Sequence, residues 1–143
     1  MRKKTGLARE KATARRPVVA YRVRWDCAEA DAVARHAMEE GVDPPPAQLE
    51  RLREAVCGHL RELVAVVDEQ YADAPAGPWR EVITKTLGVA SDILAQPIRG
   101  SALDLLVPPP AVRLLLLMHT EPIMFGAHGQ AMMVRGEDEA DAV

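Results

Sequence analysis

Ala47-Gln-Leu-Glu-Arg-Leu-Arg-Glu-Ala-Val-Cys-Gly-His-Leu-Arg-Glu-Leu-Val-Ala-Val-Val-Asp-Glu-Gln-Tyr71 decides the fold class. Leu49, Leu52, Val56, Leu60, Leu63, Val64, Val67 and Tyr71 fall on one stripe of a helix with 3.6 residues per turn, the signature of an amphipathic helix packed against others. Pro44, Pro45 and Pro46 precede it. They force an extended link, and the last of them suits a first helical turn because its missing N–H would be unpaired there anyway. The spacing predicts a helix over Ala47–Ala72, roughly 39 Å long at ~1.5 Å per residue. Its outer face carries Glu50, Arg51, Glu54, Arg61, Glu62, Asp68 and Glu69.

Two further helices flank it. Asp26 followed by Glu29 has the spacing of a capping box, and Gly41 stands where a helix ends in the left-handed conformation, which predicts a helix over Cys27–Glu40. Its stripe would be Ala30, Val33, Ala34, Ala37 and Met38, small residues that allow close approach and bury modest area. After the Ala74–Pro78 loop, Trp79, Val82, Ile83, Thr86, Leu87, Ala90, Ile93 and Leu94 form the cleanest stripe in the chain, ended by Pro97.

The ends read differently. Residues 1–16 are charged and poor in large apolar side chains, the composition of a disordered tail. From Val19 to Trp25 apolar and basic residues alternate, the period of an extended strap laid across the bundle. Beyond Ile98, Pro108–Pro110 repeat the proline device and Ala111–Thr120 reads as a short fourth helix stopped before Pro122. Leu114–Met118 is apolar on every side, so it is either wedged between helices or an exposed patch. Residues 121–143 lack periodicity and carry the acidic run Glu137, Asp138, Glu139 and Asp141.

The expected architecture is therefore all-α: a small helical bundle of three long helices plus a short fourth over residues 26–120. A basic arm and strap (1–25) precedes it and a flexible acidic tail (121–143) follows. The 143-residue length suits one domain, and with 48% apolar but only 3% aromatic residues the core must be built from Leu, Val, Ala and Met.

Charge is unevenly spread along the chain. The net −3 conceals nine Lys or Arg against Glu10 alone in residues 1–24, leaving nine basic and twenty acidic residues elsewhere. Such an arm can seek nucleic acid, an anionic membrane surface, or the acidic body of its own protein. Arg15, Arg16, Arg22 and Arg24, interleaved with Tyr21 and Trp25, are the candidate nucleic-acid contacts, through phosphates and base stacking. The competing reading is a solvated tail followed by a strap whose Tyr21 and Trp25 pack on the bundle.

Little here points to chemistry. Cys27 and Cys57 form neither a CxxC nor a dense framework, so reduced thiols in a cytosolic protein are the simplest account. Cys57 and His59 point about 200° apart on a helix and cannot share a ligand or a proton. Cys27 with His36, and His119 with Glu121, lack site-like spacing, and His128 sits in a Gly-rich stretch. Ser91 and Ser101 lack a nucleophile elbow, and there is no phosphate loop. The expectation is no catalytic, cofactor or metal site. Arg9, Glu10 and Lys11 interrupt any apolar region of a signal peptide, and Val112–Met118 is too short to span a bilayer, so a cytoplasmic, non-membrane protein is expected.

One likeness follows from the placed helices. Ala34-Arg-His-Ala-Met-Glu-Glu40, Pro44-Pro-Pro46 and Leu52-Arg-Glu-Ala-Val-Cys-Gly-His-Leu-Arg-Glu-Leu-Val64 resemble small actinobacterial proteins grouped as an uncharacterised natural product biosynthesis family. The Gly58-His59-Leu60 step carries most of the likeness, which spans about residues 33–97. Fourteen Arg against four Lys fits a GC-rich actinomycete. The resemblance implies a short helical bundle encoded near secondary-metabolite genes and implies no reaction. The leading expectation is a non-catalytic accessory or protein-interaction protein, with a protein partner or a second copy. The alternative is a nucleic-acid-binding regulator using the basic N-terminal arm.

Overall fold

The computed structural model describes residues 17–96 and 101–125. Among the described residues four α-helices form the bundle: α1 (Ala20–Glu40), α2 (Pro46–Gln70), α3 (Pro78–Ala95) and α4 (Pro108–Thr120), with 3-10 turns at Ala102–Leu106 and Pro122–Phe125. No strand occurs among the described residues, in keeping with the all-α expectation.

α2 is the hub. Leu49, Leu52, Val56, Leu60, Leu63, Val67 and Tyr71 are all buried, matching the stripe that defined it, while Val64 is half-buried. Pro46 occupies the first helical turn as its missing N–H allows. The same chemistry explains why α4 begins at Pro108 rather than Ala111. The first N–H groups of a helix have no internal partner, so three prolines there lose nothing that the helix would otherwise pair.

α1 departs most from expectation. The segment Ala20–Trp25 is helical, not an extended strap, and the helix starts seven residues before Cys27. Of the four alternating apolar residues only Val23 is buried. It begins a stripe that continues through Cys27, Ala30, Ala34 and Ala37, so the relevant spacing was three and four. Val33 is only half-buried and Met38 is 52% exposed. Asp26 therefore caps nothing. Gly41 does end the helix as expected, in the left-handed region at φ 69°, its N–H donating to Ala37 O at 2.8 Å.

The bundle also extends past Thr120. Phe125 is buried and meets Trp79 edge-on, ring centroids 5.8 Å apart at 77°, so residues 122–125 belong to the fold and not to a tail. Leu115, Leu116 and Met118 are buried, whereas Leu114 and Leu117 are 37% and 38% exposed, which resolves the all-apolar run into a wedged face and a thin outer rim. By length and composition Ala102–Thr120 could cross a membrane, although half of it is buried inside the fold. Tyr71 ties this stretch to the hub, its hydroxyl donating to Met118 O at 2.6 Å. Residues 1–16 and 126–143, with Arg15, Arg16, His128 and the acidic run, lie outside the described residues, and so do the expectations that concern them.

Candidate interaction surface

Polar side chains between the helices are mostly engaged with one another. Asp26 on α1 meets His59 on α2, Oδ2 to Nε2 at 2.6 Å, with 21% and 15% of the two side chains exposed. One turn on, Glu29 accepts from Arg51 of α2 at 3.1 Å, and Asp31 pairs with Arg113 of α4. Three acids of α1 thus reach two different helices. They fix the register of a helix whose small Ala side chains bury little area, and pairs this exposed contribute modestly to stability.

These contacts separate two of the residue pairs weighed from the sequence. His59 is joined to Asp26 rather than to Cys57, and His119 lies beside Gln70, Nδ1 to Oε1 at 2.8 Å, rather than beside Glu121. Burial pushes the Cys27 thiol up to about 11, only partly opposed by Arg113 and reinforced by Asp31 and Asp26. Burial likewise raises Cys57, against the pull of Arg61 and Arg53. A thiol held in its neutral form is a poor nucleophile and metal ligand. Among the described residues no group of three or more His, Cys, Asp or Glu could hold a metal ion.

His36 has a different setting. It lines an open groove of about 450 Å³ between α1 and the proline link, together with Val33, Val42, Pro44 and Pro45. Of the two acids that line it, Glu29 is already paired with Arg51 and Asp43 is exposed on the proline link. The groove is mostly apolar, and neither Asp26 nor His59 lines it.

Two surfaces stand out instead. On the first, α3 buries only Ile83 and Ala90 of its eighteen residues. Trp79 is 51% exposed, Val82 41% and Val89 53%, while Thr86 and Ile93 are half-buried. The broad stripe read from the sequence is thus divided between an inner edge, where Ile83 and Ala90 are buried and Leu87, Ile93 and Leu94 pack part-way against the core, and an outer seam of Trp79, Val82, Thr86 and Val89 that the solvent-facing edge of Ile93 continues. Exposed apolar residues at such regular spacing mark a contact surface rather than scattered single residues. Beside the seam, an open cleft of about 800 Å³ runs along Ala76–Lys85.

The second surface is the start of α1. Tyr21 and Trp25, one turn apart, are 71% and 72% exposed. Arg22 and Arg24 are exposed on the same turns, and none of the four has a hydrogen-bond or ion-pair partner among the described residues. The aromatic residues therefore do not pack on the bundle, as the strap reading required. No family model, curated protein or solved structure matches the chain.

Proposed function

We propose that the protein is a non-catalytic accessory that works by docking another protein on the outer face of α3. The observation carrying this reading is that α3 fully buries only Ile83 and Ala90 and packs Leu87, Ile93 and Leu94 part-way against the core, while Trp79, Val82 and Val89 keep about half of their surface in solvent. An amphipathic helix with an unpaired apolar seam gains stability by covering it. The engagement of His59 with Asp26 and of His119 with Gln70, and the raised Cys27 and Cys57 thiols, accord with a binding role. Assigning the accessory to natural product biosynthesis rests on the sequence resemblance of residues 33–97 alone. A photo-crosslinking amino acid at Val89, in the full chain inside the producing cell, tests it. The reading expects an adduct that Val82→Glu abolishes; adducts no stronger than from the α2 surface position Asp68 would refute it.

A second reading rests on the start of α1, where Tyr21 and Trp25 offer two stacking faces flanked by Arg22 and Arg24. It makes the protein a nucleic-acid-binding regulator. It expects a single-stranded oligonucleotide to bind with an affinity that falls steeply with salt and drops with Trp25→Ala. No change in fluorescence anisotropy at low salt would end it.

A further inference from the structure

We infer that the occupant of the α3 seam is a second copy of this chain, the two α3 helices lying antiparallel across a two-fold axis. This rests on the docking reading above and adds the identity of the partner.

The seam has the three-and-four spacing that lets helices interlock, and a two-fold pairing makes one patch serve both sides. Placing the helices antiparallel sets Val82 against the solvent-facing edge of Ile93 of the partner subunit, a side chain whose inner edge packs on its own core, and Thr86 against the partner's Val89, with both relations repeated by symmetry. Thr86 would be the one polar group in the centre. Its hydroxyl already donates to Val82 O at 2.7 Å, so the seam receives a methyl group and no donor is left unpaired when water leaves.

Charge complementarity selects a second copy over an arbitrary partner. Lys85 and Asp92 lie seven residues apart on one flank of the seam, both exposed and neither engaged in an ion pair among the described residues. In the antiparallel register that aligns the apolar layers, Lys85 faces Asp92 of the partner subunit, and Asp92 faces the partner's Lys85. One helix thus supplies both halves of two symmetric pairs. A parallel pairing would instead set Lys85 against Lys85 and Asp92 against Asp92. The opposite flank, carrying Ile83 and Ala90, is the one buried against the protein's own bundle. A single helix pair about 27 Å long is at the small end of specific interfaces, so the dimer is reversible and not obligate.

The test is sedimentation velocity on the full chain from about 2 to about 200 µM, a range over which a reversible dimer shifts its mass. The proposal expects the wild type to approach twice the chain mass at the top of the range. Lys85→Glu or Asp92→Lys alone turns both pairs into like charges and should weaken association about ten-fold or more, and the double swap should restore it. Both positions are exposed, so circular dichroism should show unchanged helicity in all three variants. A wild type that stays monomeric, single swaps without effect, or a double swap that fails to recover would each overturn the second-copy assignment. The Val89 photoprobe separates this from failure of the docking reading. An adduct of twice the chain mass supports both, an adduct of any other mass overturns the second copy alone, and no adduct overturns both.

Discussion

Ile83 and Val82 are adjacent in the chain and similar in chemistry, yet the fold gives them opposite surroundings: Ile83 is 4% exposed and Val82 41%. Ile83→Ala removes about three buried carbons, each contributing ~0.8 kcal/mol on transfer from water, and leaves a cavity beneath α3. The expected loss is about 3 kcal/mol, a large part of the ~5–15 kcal/mol that stabilises a domain of this kind. Val82→Ala removes about two carbons from a side chain that water already reaches, and the better helix propensity of alanine recovers roughly half a kcal/mol. Its expected loss is below about 1 kcal/mol. Urea unfolding followed by circular dichroism reads both values, at low micromolar concentration so that association does not contribute. Equal losses, or a larger one at Val82, would mean that α3 is rotated about its axis relative to the described fold and that no outer seam exists.

Tyr71→Phe should cost about 1–2 kcal/mol, because it leaves the Met118 carbonyl without the hydroxyl that donates to it at 2.6 Å in a buried site. A double-mutant cycle on Asp26→Ala and His59→Ala should return a coupling of about 1 kcal/mol, whereas Asp26 with the distant Asp68 should couple negligibly. Burial raises the Cys27 thiol from 9.0 to about 11. The folded state therefore holds its proton more tightly than the unfolded chain. That stabilisation is fully present below pH 9 and is lost as pH climbs through about 11, so the unfolding midpoint should fall across this window and fall less in Cys27→Ala. Neither thiol should react rapidly with a disulfide reagent at neutral pH; fast stoichiometric labelling of the folded chain would contradict the burial of Cys27 and the half-buried setting of Cys57.

The hub helix was legible because its periodic residues have one use. Six large apolar side chains on one narrow stripe of α2 (Leu49, Leu52, Val56, Leu60, Leu63 and Val67) can only face inward, and they do. The start of α1 was ambiguous because Val19, Tyr21, Val23 and Trp25 satisfy a two-residue alternation and also contain the helical pair Tyr21 and Trp25. Tertiary packing chose Val23 and left the aromatic residues in water. Asp26 carries the same difficulty in polar form. The spacing to Glu29 mimics a cap, but the group that claims the carboxylate is His59, thirty-three residues away, and no local rule reaches that far. For α3 the stripe was visible while its division was not. Trp79 through Leu94 are apolar over a wide arc, and which part of the arc faces α2 depends on how the hub and α4 close around it. The candidate surface is what that division leaves over, so periodicity alone could not show it.

Hydrogen–deuterium exchange of the α3 amides at two protein concentrations tests the central claim most directly. If the outer seam of α3 is an unfinished interface between copies, protection of residues 79–94 rises from about 2 to about 200 µM protein while α2, already at its ceiling in the core, stays constant. Exchange in α3 that is the same at both concentrations, or a rise spread evenly over all four helices, would contradict it.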